Sequence, residues 1–293
     1  MKTRILKLCF FLFLLFFLFY SPGPASADSF RSAERVVSLA PSITESLFAI
    51  GAGDKVVGVT DHDVSPEEVN ALPSVGGYFD PSLEKILSLS PDLVIGIATF
   101  HGKLLERLQS LGVDTLPLTI HRGLDGVRAG IISLGSRLGL EKEAGEVLGN
   151  IERGLEDVRE EVTQTFPEGS PSLLVVVWHD PLTVAGGVNY IDDIMRIIGI
   201  PNAASDIRYT FPQIDPEGIV ARNPDIILVP GTERGMSVTP ESLLEILKDF
   251  PIAAVRQKKV VSVSPDLLFN PGPRVVEAAR SLLAAARSFG GGS

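Results

Sequence analysis

Two similar twelve-residue segments, one in each half of the chain, constrain the fold most strongly. Residues 84–95 read EKILSLSPDLVI, and residues 217–228 read EGIVARNPDIIL. In both segments a glutamate stands seven residues before a Pro-Asp turn, and the turn leads into an apolar run typical of a buried strand. The repetition predicts two lobes that are built on the same plan.

An Asp-Pro pair precedes each repeat and predicts where its helix begins. The pairs are Asp80-Pro81 and Asp215-Pro216. An aspartate at the N-cap accepts from free backbone N–H groups, and proline at the first helical position gives up no hydrogen bond. We therefore expect helices to begin at these pairs, with Glu84 and Glu217 close to their N-termini.

A long stretch without proline, residues 140–166, separates the two repeats. Its apolar residues recur at helical spacing, and a helix of this length exceeds the usual globular range. We interpret residues 139–167 as a rigid connector between an N-terminal lobe at 34–138 and a C-terminal lobe at 170–289. An ordinary surface helix would show the same periodicity, so that alternative stays open.

Short apolar runs alternate with helix-like stretches on both sides of this connector, which is typical of an α/β fold. Gly51 suits the end of the helix that follows the first strand, and the spacing from Ser42 to Glu45 predicts a capping box at its start. Further helices are predicted at 190–198 and 274–289. The predicted strands are 35–39, 56–59, 91–97, 113–117, 173–177, 225–229 and 260–263.

The N-terminus has the pattern of an export signal. Three basic residues, an apolar run from Ile5 to Tyr20 and the small-residue site Ala25-Ser-Ala27 follow one another. We expect cleavage after Ala27, which removes residues 1–27, and periplasmic localisation; an uncleaved membrane anchor is the alternative. Cys9 lies early in the apolar run rather than at its end, so we expect no lipid attachment there.

Charge and cysteine content exclude several function classes. Without residues 1–27 the net charge is −13, because that segment carries three basic residues and no acidic ones. This charge argues against nucleic acid as a partner. The single cysteine is lost with the signal, so the mature chain has no thiolate for metal binding or catalysis.

No motif for catalysis or for a preformed metal site stands out. The histidines, at positions 62, 101, 121 and 179, are far apart, and nucleophile-elbow, Walker and His-Glu-x-x-His patterns are absent. We therefore expect a binding protein without a cofactor rather than an enzyme. A secreted enzyme or a metal chaperone is the alternative from another class.

Several short motifs together resemble a known family. They are RVVSLAPSITE at 35–45, VGVT at 57–60, LEKI at 83–86, PDLVI at 91–95, LGV at 111–113, WHDPL at 178–182, FPQ at 211–213 and PGPR at 271–274. In order and type they are similar to the iron-siderophore and vitamin B12 class of periplasmic solute-binding proteins, and most of all to its cobalamin binders. The resemblance implies two Rossmann-like lobes on one long backbone helix, the class III fold, with little hinge closure.

The resemblance also implies a partner. Proteins of this class deliver a small-molecule ligand to the permease dimer of an ABC importer in the inner membrane, as monomers, and dock through one glutamate per lobe. The matching positions are Glu84 and Glu217. A carboxylate on each lobe can pair with arginine, although a glutamate near a helix N-terminus is also favoured by the helix dipole alone.

Candidate ligand contacts lie in loops that follow strands. A corrin ring is flat and mostly apolar on its faces, so aromatic walls suit it. The resemblance favours Tyr78 and Phe211 as such walls. The remaining candidates are Trp178, His62, Phe100, Phe269 and Asn270.

Each candidate also has a plainer interpretation. Trp178 could pack in the core beside a strand end, and lone histidines are usually structural. His62, His101 and His179 could instead approach a metal centre in the ligand.

The chain departs from the cobalamin binders in two respects. It has a single tryptophan, and Asn270 stands where many relatives have arginine. Arg122 and Arg208 are the nearest candidates for neutralising an anionic ligand. This weak basic signal favours a near-neutral corrinoid over an anionic siderophore or heme, which remain the alternatives within the fold.

Overall fold

A computed structural model describes residues 33–119, 123–232 and 238–290. The predicted signal segment with Cys9 lies outside these ranges, as do His121 and Arg122. In the described part of the chain, no helix combines the length and the apolar character that crossing a bilayer requires.

The N-terminal lobe is built on a wholly parallel sheet with the strand order β2-β1-β3-β4. The predicted strands are confirmed, and their bounds differ from prediction by two residues at most. The strands are β1 (Val36–Ser38), β2 (Val56–Gly58), β3 (Leu93–Ile97) and β4 (Asp114–Leu118). The helices of this lobe are α1 (Pro41–Ala49), α2 (Leu83–Ser88), α3 (Ala98–Ser110) and α4 (Gly123–Leu138), with 3-10 turns at Gly53–Lys55 and Glu67–Ala71.

The C-terminal lobe repeats this plan with one change. Its sheet has the order β6-β5-β7-β8, and β6 runs antiparallel to β5, whereas β5, β7 and β8 are parallel. The strands are β5 (Leu173–His179), β6 (Leu182–Val184), β7 (Ile226–Val229) and β8 (Val260–Ser262). The helices are α6 (Tyr190–Ile198), α7 (Pro216–Arg222), α8 (Pro240–Leu247), α9 (Ala253–Arg256), α10 (Pro265–Leu268) and α11 (Val275–Gly290). β6 was not predicted.

The long helix is confirmed as α5 (Glu141–Thr165), whose 25 residues span about 37 Å. A Cβ at Gly154 would lie 2.7 Å from Val276 Cγ2, so only glycine permits this approach of α5 to α11. One continuous cluster of buried apolar side chains includes Ile95 of β3, Val158 of α5 and Leu228 of β7. The two sheets therefore share a core through α5. The exact bounds of the lobes remain a prediction.

The two repeat helices begin differently, which corrects one prediction. α7 begins as expected, because Asp215 caps it by accepting from Gly218 N at 2.7 Å and Pro216 is its first residue. α2 begins two residues later than Pro81, with Ser82 as its N-cap. Residues near Pro81 stay extended because Gly76 and Pro81 form an antiparallel bridge. Glu84 and Glu217 are nevertheless each the second residue of their helix.

The predicted capping box at the start of α1 is wrong. The N-cap is Ala40, with no side-chain cap, and Pro41 is the first helical residue. Glu45 is buried and pairs instead with Arg274, whose Nη2 lies 2.7 Å from Glu45 Oε1. The end of the helix is as predicted, since Gly51 adopts the left-handed conformation with φ of 81°.

Candidate ligand-binding site

A cavity of about 610 Å³ lies between the lobes and is lined by residues from both. Its lining residues follow strand ends: Ser42 comes after β1, Phe100 after β3 and Pro265 after β8. The carboxyl edges of parallel sheets are where ligands bind in such folds. Six of the seven predicted ligand residues line this cavity: Tyr78, Phe211, His62, Phe100, Phe269 and Asn270.

The N-terminal lobe presents a cluster of rings, which we call the aromatic wall: Tyr78, Phe79 and Phe100. The ring centroids of Tyr78 and Phe79 are 4.7 Å apart, and those of Phe79 and Phe100 are 5.3 Å apart, both edge to face. This geometry is the favourable one for aromatic pairs. Phe79 is 72% exposed, so its ring is available to a ligand.

A buried histidine holds the aromatic wall in place. His101 Nδ1 accepts from the backbone N–H of Ile97 at 2.9 Å, so Nε2 carries the proton and donates to Tyr78 O at 2.7 Å. Burial lowers the pKa of His101, against the effect of the hydrogen bond to Tyr78. His101 is thus a neutral structural residue, and both ring nitrogens are occupied by the chain itself.

The C-terminal lobe contributes a different surface. The Phe211 and Phe269 rings are 6.4 Å apart. The loop that carries Phe211 is fixed by Asn189, whose Nδ2 donates to Thr210 O and to Gly186 O, each at 2.8 Å. The Asn189 side chain also caps α6 by accepting from Asp192 N at 2.9 Å. This surface is therefore ordered by hydrogen bonds from the Asn189 side chain to the backbone, in addition to the contact between the two rings.

Polar side chains meet where α1 approaches the C-terminal segment, and we call Glu45, Tyr190, Asn270 and Arg274 the polar floor. Glu45 accepts from Arg274 Nη2 at 2.7 Å, from Arg274 Nε at 3.0 Å and from Asn270 Nδ2 at 2.9 Å. Burial raises the pKa of the Glu45 carboxyl group, and the bonds and charge of Arg274 oppose that rise. The ion pair joins residues 229 positions apart and links the two lobes.

The sequence did not identify Phe79 or Tyr190 as cavity residues, although both line it. Phe79 adjoins the predicted Tyr78, so its loop was found but its ring was overlooked. Tyr190 is the first residue of α6, and only the tertiary packing shows that it reaches the cavity. The sequence signal that could have identified Tyr190 is its position at the start of a helix, directly after a glycine-rich loop.

Trp178 does not line the cavity. Residues alternate between the faces of a strand, and at the end of β5 it is Val177 that borders the cavity. The Trp178 indole N–H donates to Asp180 O at 2.8 Å, and its ring stacks on His179 at 5.4 Å. The hairpin between β5 and β6 holds it there.

The described lining of the cavity carries no lysine or arginine. Its acidic member is Asp266, and its ionisable nitrogen base is His62. Arg208 is exposed and does not line the cavity. Within the described ranges, no cluster of three or more His, Cys, Asp or Glu side chains is arranged to hold a metal ion.

Comparison with known protein families shows which family the chain belongs to. Residues 36–267 match the model of the family described as periplasmic binding protein. The chain belongs to the periplasmic binding protein family. The class predicted from the motifs and its fold, two Rossmann-like lobes on a backbone helix, are thereby confirmed. Members of this family are binding proteins rather than enzymes.

Relatives within the family carry several names. An uncharacterized ABC transporter substrate-binding lipoprotein of Bacillus subtilis is 30% identical over 86% of this chain and 79% of its own length. The vitamin B12-binding protein of Vibrio parahaemolyticus is 28% identical, over 84% and 86% respectively. The solved structure of the periplasmic heme-binding protein RhuT from Roseiflexus, at 28% identity, covers 88% of this chain and 99% of that one with a TM-score of 0.78.

Proposed function

We propose that this chain is the extracytoplasmic substrate-binding protein of an ABC importer, and that it binds a corrinoid between its lobes. It acts as a monomer, needs no cofactor and leaves the ligand unaltered. The cavity that both lobes line is the observation that carries the proposal. The substrate-binding and vitamin B12-binding relatives support the general role.

The shape and chemistry of the cavity suit a flat ligand with apolar faces. The aromatic wall supplies exposed rings from one lobe, and Phe211 and Phe269 supply rings from the other. Aromatic side chains contribute large apolar contact areas with little loss of side-chain freedom. Because Phe79 stands open to solvent, a ligand larger than the cavity can extend past the rim.

The net charge of the ligand favours a corrinoid over heme and anionic siderophores. Heme carries two carboxylates, and many ferric siderophores are anionic, so both require cations when they are buried. The described lining offers Asp266 but no lysine or arginine. The peripheral groups of a corrinoid are mostly uncharged carboxamides, which this lining can accommodate.

Heme is the second candidate. The similarity to RhuT favours it, and His62 at the cavity could supply an axial ligand to iron. Isothermal titration with cyanocobalamin, cobinamide, hemin and a ferric siderophore decides between them. We expect tight binding of the two corrinoids and weak binding of the two anionic ligands. Tight hemin binding without corrinoid binding would reject the corrinoid assignment.

Glu84 and Glu217 are our proposed contacts with the permease. Both are exposed, and both are second residues of the helices that lead into β3 and β7. A helix that leads into a parallel strand begins at the carboxyl edge of the sheet, which is the side of the cavity. One carboxylate per lobe on the side where the ligand leaves is consistent with docking on two arginine-bearing subunits.

A further inference from the structure

Tyr190 lines the cavity, and its buried hydroxyl group has no hydrogen-bond partner among the described residues. Only 6% of the residue is exposed. A hydroxyl that is withdrawn from water without a partner costs free energy, and buried polar groups in folded proteins nearly always have one. Because Tyr190 borders the cavity, a polar group of the ligand is a suitable partner.

The Tyr190 hydroxyl keeps its proton. Burial raises the pKa of this phenol, the negative charge of Glu45 raises it further, and Arg274 acts in the opposite direction. A neutral phenol can donate one hydrogen bond and can also accept. The cavity thus has an uncharged donor at a buried position.

Among the described residues, the cation that acts on Tyr190 is Arg274, and its charge is matched. The guanidinium group of Arg274 makes two hydrogen bonds to Glu45, at 2.7 and 3.0 Å, so its charge is already neutralised. Asp266 adds a further carboxylate, close enough to act electrostatically on Glu45. A ligand carboxylate would leave water for a region that already holds two carboxylates, which is costly.

Asn270 offers the complementary group. Its Nδ2 donates to Glu45 Oε1 at 2.9 Å, because a carboxylate can only accept. The carbonyl oxygen of Asn270 takes no part in that bond and can accept a hydrogen bond from a ligand. A donor from Tyr190 and an acceptor from Asn270 match the two hydrogen-bonding functions of a carboxamide.

We propose that Tyr190 is a specificity-determining ligand contact whose hydroxyl binds an uncharged carboxamide of the ligand, and that the Glu45–Arg274 pair excludes carboxylates from this position. This inference rests on the proposed function, since corrinoids carry carboxamides and hemes carry carboxylates. It adds the chemical group that is recognised and the residue that recognises it.

The test compares Tyr190→Phe with Tyr209→Phe, which removes the same atom from a residue that is 73% exposed and does not line the cavity. Titrations use cyanocobalamin and its monocarboxylic acid derivatives, in which one carboxamide is hydrolysed. For wild type, we expect one derivative to bind about tenfold more weakly than the parent. Tyr190→Phe should weaken cyanocobalamin binding by about tenfold and abolish that discrimination. Tyr209→Phe should change neither.

The melting temperature of the unliganded variants separates ligand binding from a structural role. Removing a hydroxyl that has no partner should leave the melting temperature of Tyr190→Phe unchanged or higher. A lower melting temperature with unchanged affinity would assign the hydroxyl to the fold and overturn the proposal, and so would equal binding of all the derivatives by wild type.

Hemin separates this inference from the proposed function. If wild type binds hemin but no corrinoid, the proposed function fails, and with it the recognition of a carboxamide. The Tyr190→Phe titration then uses hemin. A tenfold loss would keep Tyr190 as a ligand contact, and unchanged affinity would remove that role as well.

Discussion

The two lobes share a backbone plan but meet the cavity with different chemistry. The N-terminal lobe contributes the aromatic wall, in which exposed rings pack edge to face. The C-terminal lobe contributes Tyr190 and Asn270, which are polar, beside Phe211 and Phe269. We propose that the lobes have separate roles, in which one lobe covers the apolar faces of the ligand and the other binds its hydrogen-bonding groups.

The two sheets explain why lobes with the same strand order line the cavity with different side chains. In the N-terminal lobe all strands are parallel, and the wall is formed by the loop that precedes α2 and by the first turn of α3. In the C-terminal lobe the antiparallel β6 brings Val184 N within 3.0 Å of Pro212 O, and Gly186 N within 3.1 Å of Thr210 O. Those backbone bonds fix the loop that carries Phe211. The cavity is thus lined by loops and by the first turns of helices, which the sheets position.

We expect the largest effect, on ligand uptake, from the glutamate that each lobe carries near the start of its repeat helix. Replacing Glu84 and Glu217 together by alanine should lower ligand uptake by roughly 100-fold, because each change removes a carboxylate that we propose pairs with an arginine of the permease. Ligand affinity should stay within about twofold, since neither residue lines the cavity. Uptake by cells that carry the permease, together with titration of the purified variant, measures both quantities.

A control with the same charge change tests whether these positions are special. Glu106 and Glu241 are exposed, one in each lobe, and Glu241 is likewise the second residue of its helix. The Glu106→Ala/Glu241→Ala variant should transport normally. Equal loss of uptake in both double variants would show that net charge, rather than docking at Glu84 and Glu217, controls transport.

The helices and strands that the two lobes share could be predicted from the sequence, because local residue patterns determine them. The helix at Tyr190–Ile198 was predicted with its observed bounds, since its apolar residues lie on one face and Gly199 ends it in the left-handed conformation. The start of α2 was not, because the bridge between Gly76 and Pro81 that delays it is a tertiary contact. Local signals fix elements, whereas contacts between elements adjust their ends.

The site was predictable in its rings but not in its polar floor. Tyr78 and Phe211 stand in loops, as predicted, whereas Phe100 lies in the first turn of α3 directly after β3, and all three line the cavity. The pairing of Glu45 with Arg274 spans 229 positions, and no local spacing encodes it. Glu45 even sits at a spacing that predicts a capping box, so its local pattern pointed to the wrong role.

The second largest effect should come from breaking the link between the lobes. Glu45→Ala leaves Arg274 without its carboxylate in a mostly buried site, and we expect a loss of about 3 kcal/mol in the free energy of unfolding. Urea denaturation measures it. The control is Glu152→Ala, which removes an exposed ion pair with Arg128 and should cost about 0.5 kcal/mol or less. Similar losses in both variants would mean that the Glu45 pair has no special role.

The third effect tests whether the two lobes have separate roles in ligand binding. Phe79→Ala with Phe100→Ala should weaken corrinoid binding by about 30-fold, because two exposed rings are lost. The same variant should retain the preference of wild type for carboxamide over carboxylate derivatives, since the polar floor is intact. Phe289→Ala removes an exposed ring elsewhere and should bind normally. If the wall variant lost discrimination as well as affinity, the two lobes would not act separately.

The smallest effect concerns His101, which supports the aromatic wall of the N-terminal lobe. Burial lowers the pKa of His101 below its ordinary value of 6.5, so the unfolded chain binds a proton that the folded chain does not. The stability that neutral His101 contributes is therefore complete above pH 6.5 and declines as the pH falls through the lowered pKa.

Between about pH 7.5 and pH 5.5, we expect His101 to lower the free energy of unfolding as the pH falls, by at most about 1.4 kcal/mol per pH unit, which is the limit for one proton. His101→Gln keeps an acceptor for Ile97 N and a donor for Tyr78 O, and it should flatten this part of the pH profile. His62→Gln, at an exposed position, should leave the profile as in wild type. A profile that stays equally steep in His101→Gln would place the pH sensitivity elsewhere, and the wall would then rest on ring packing alone.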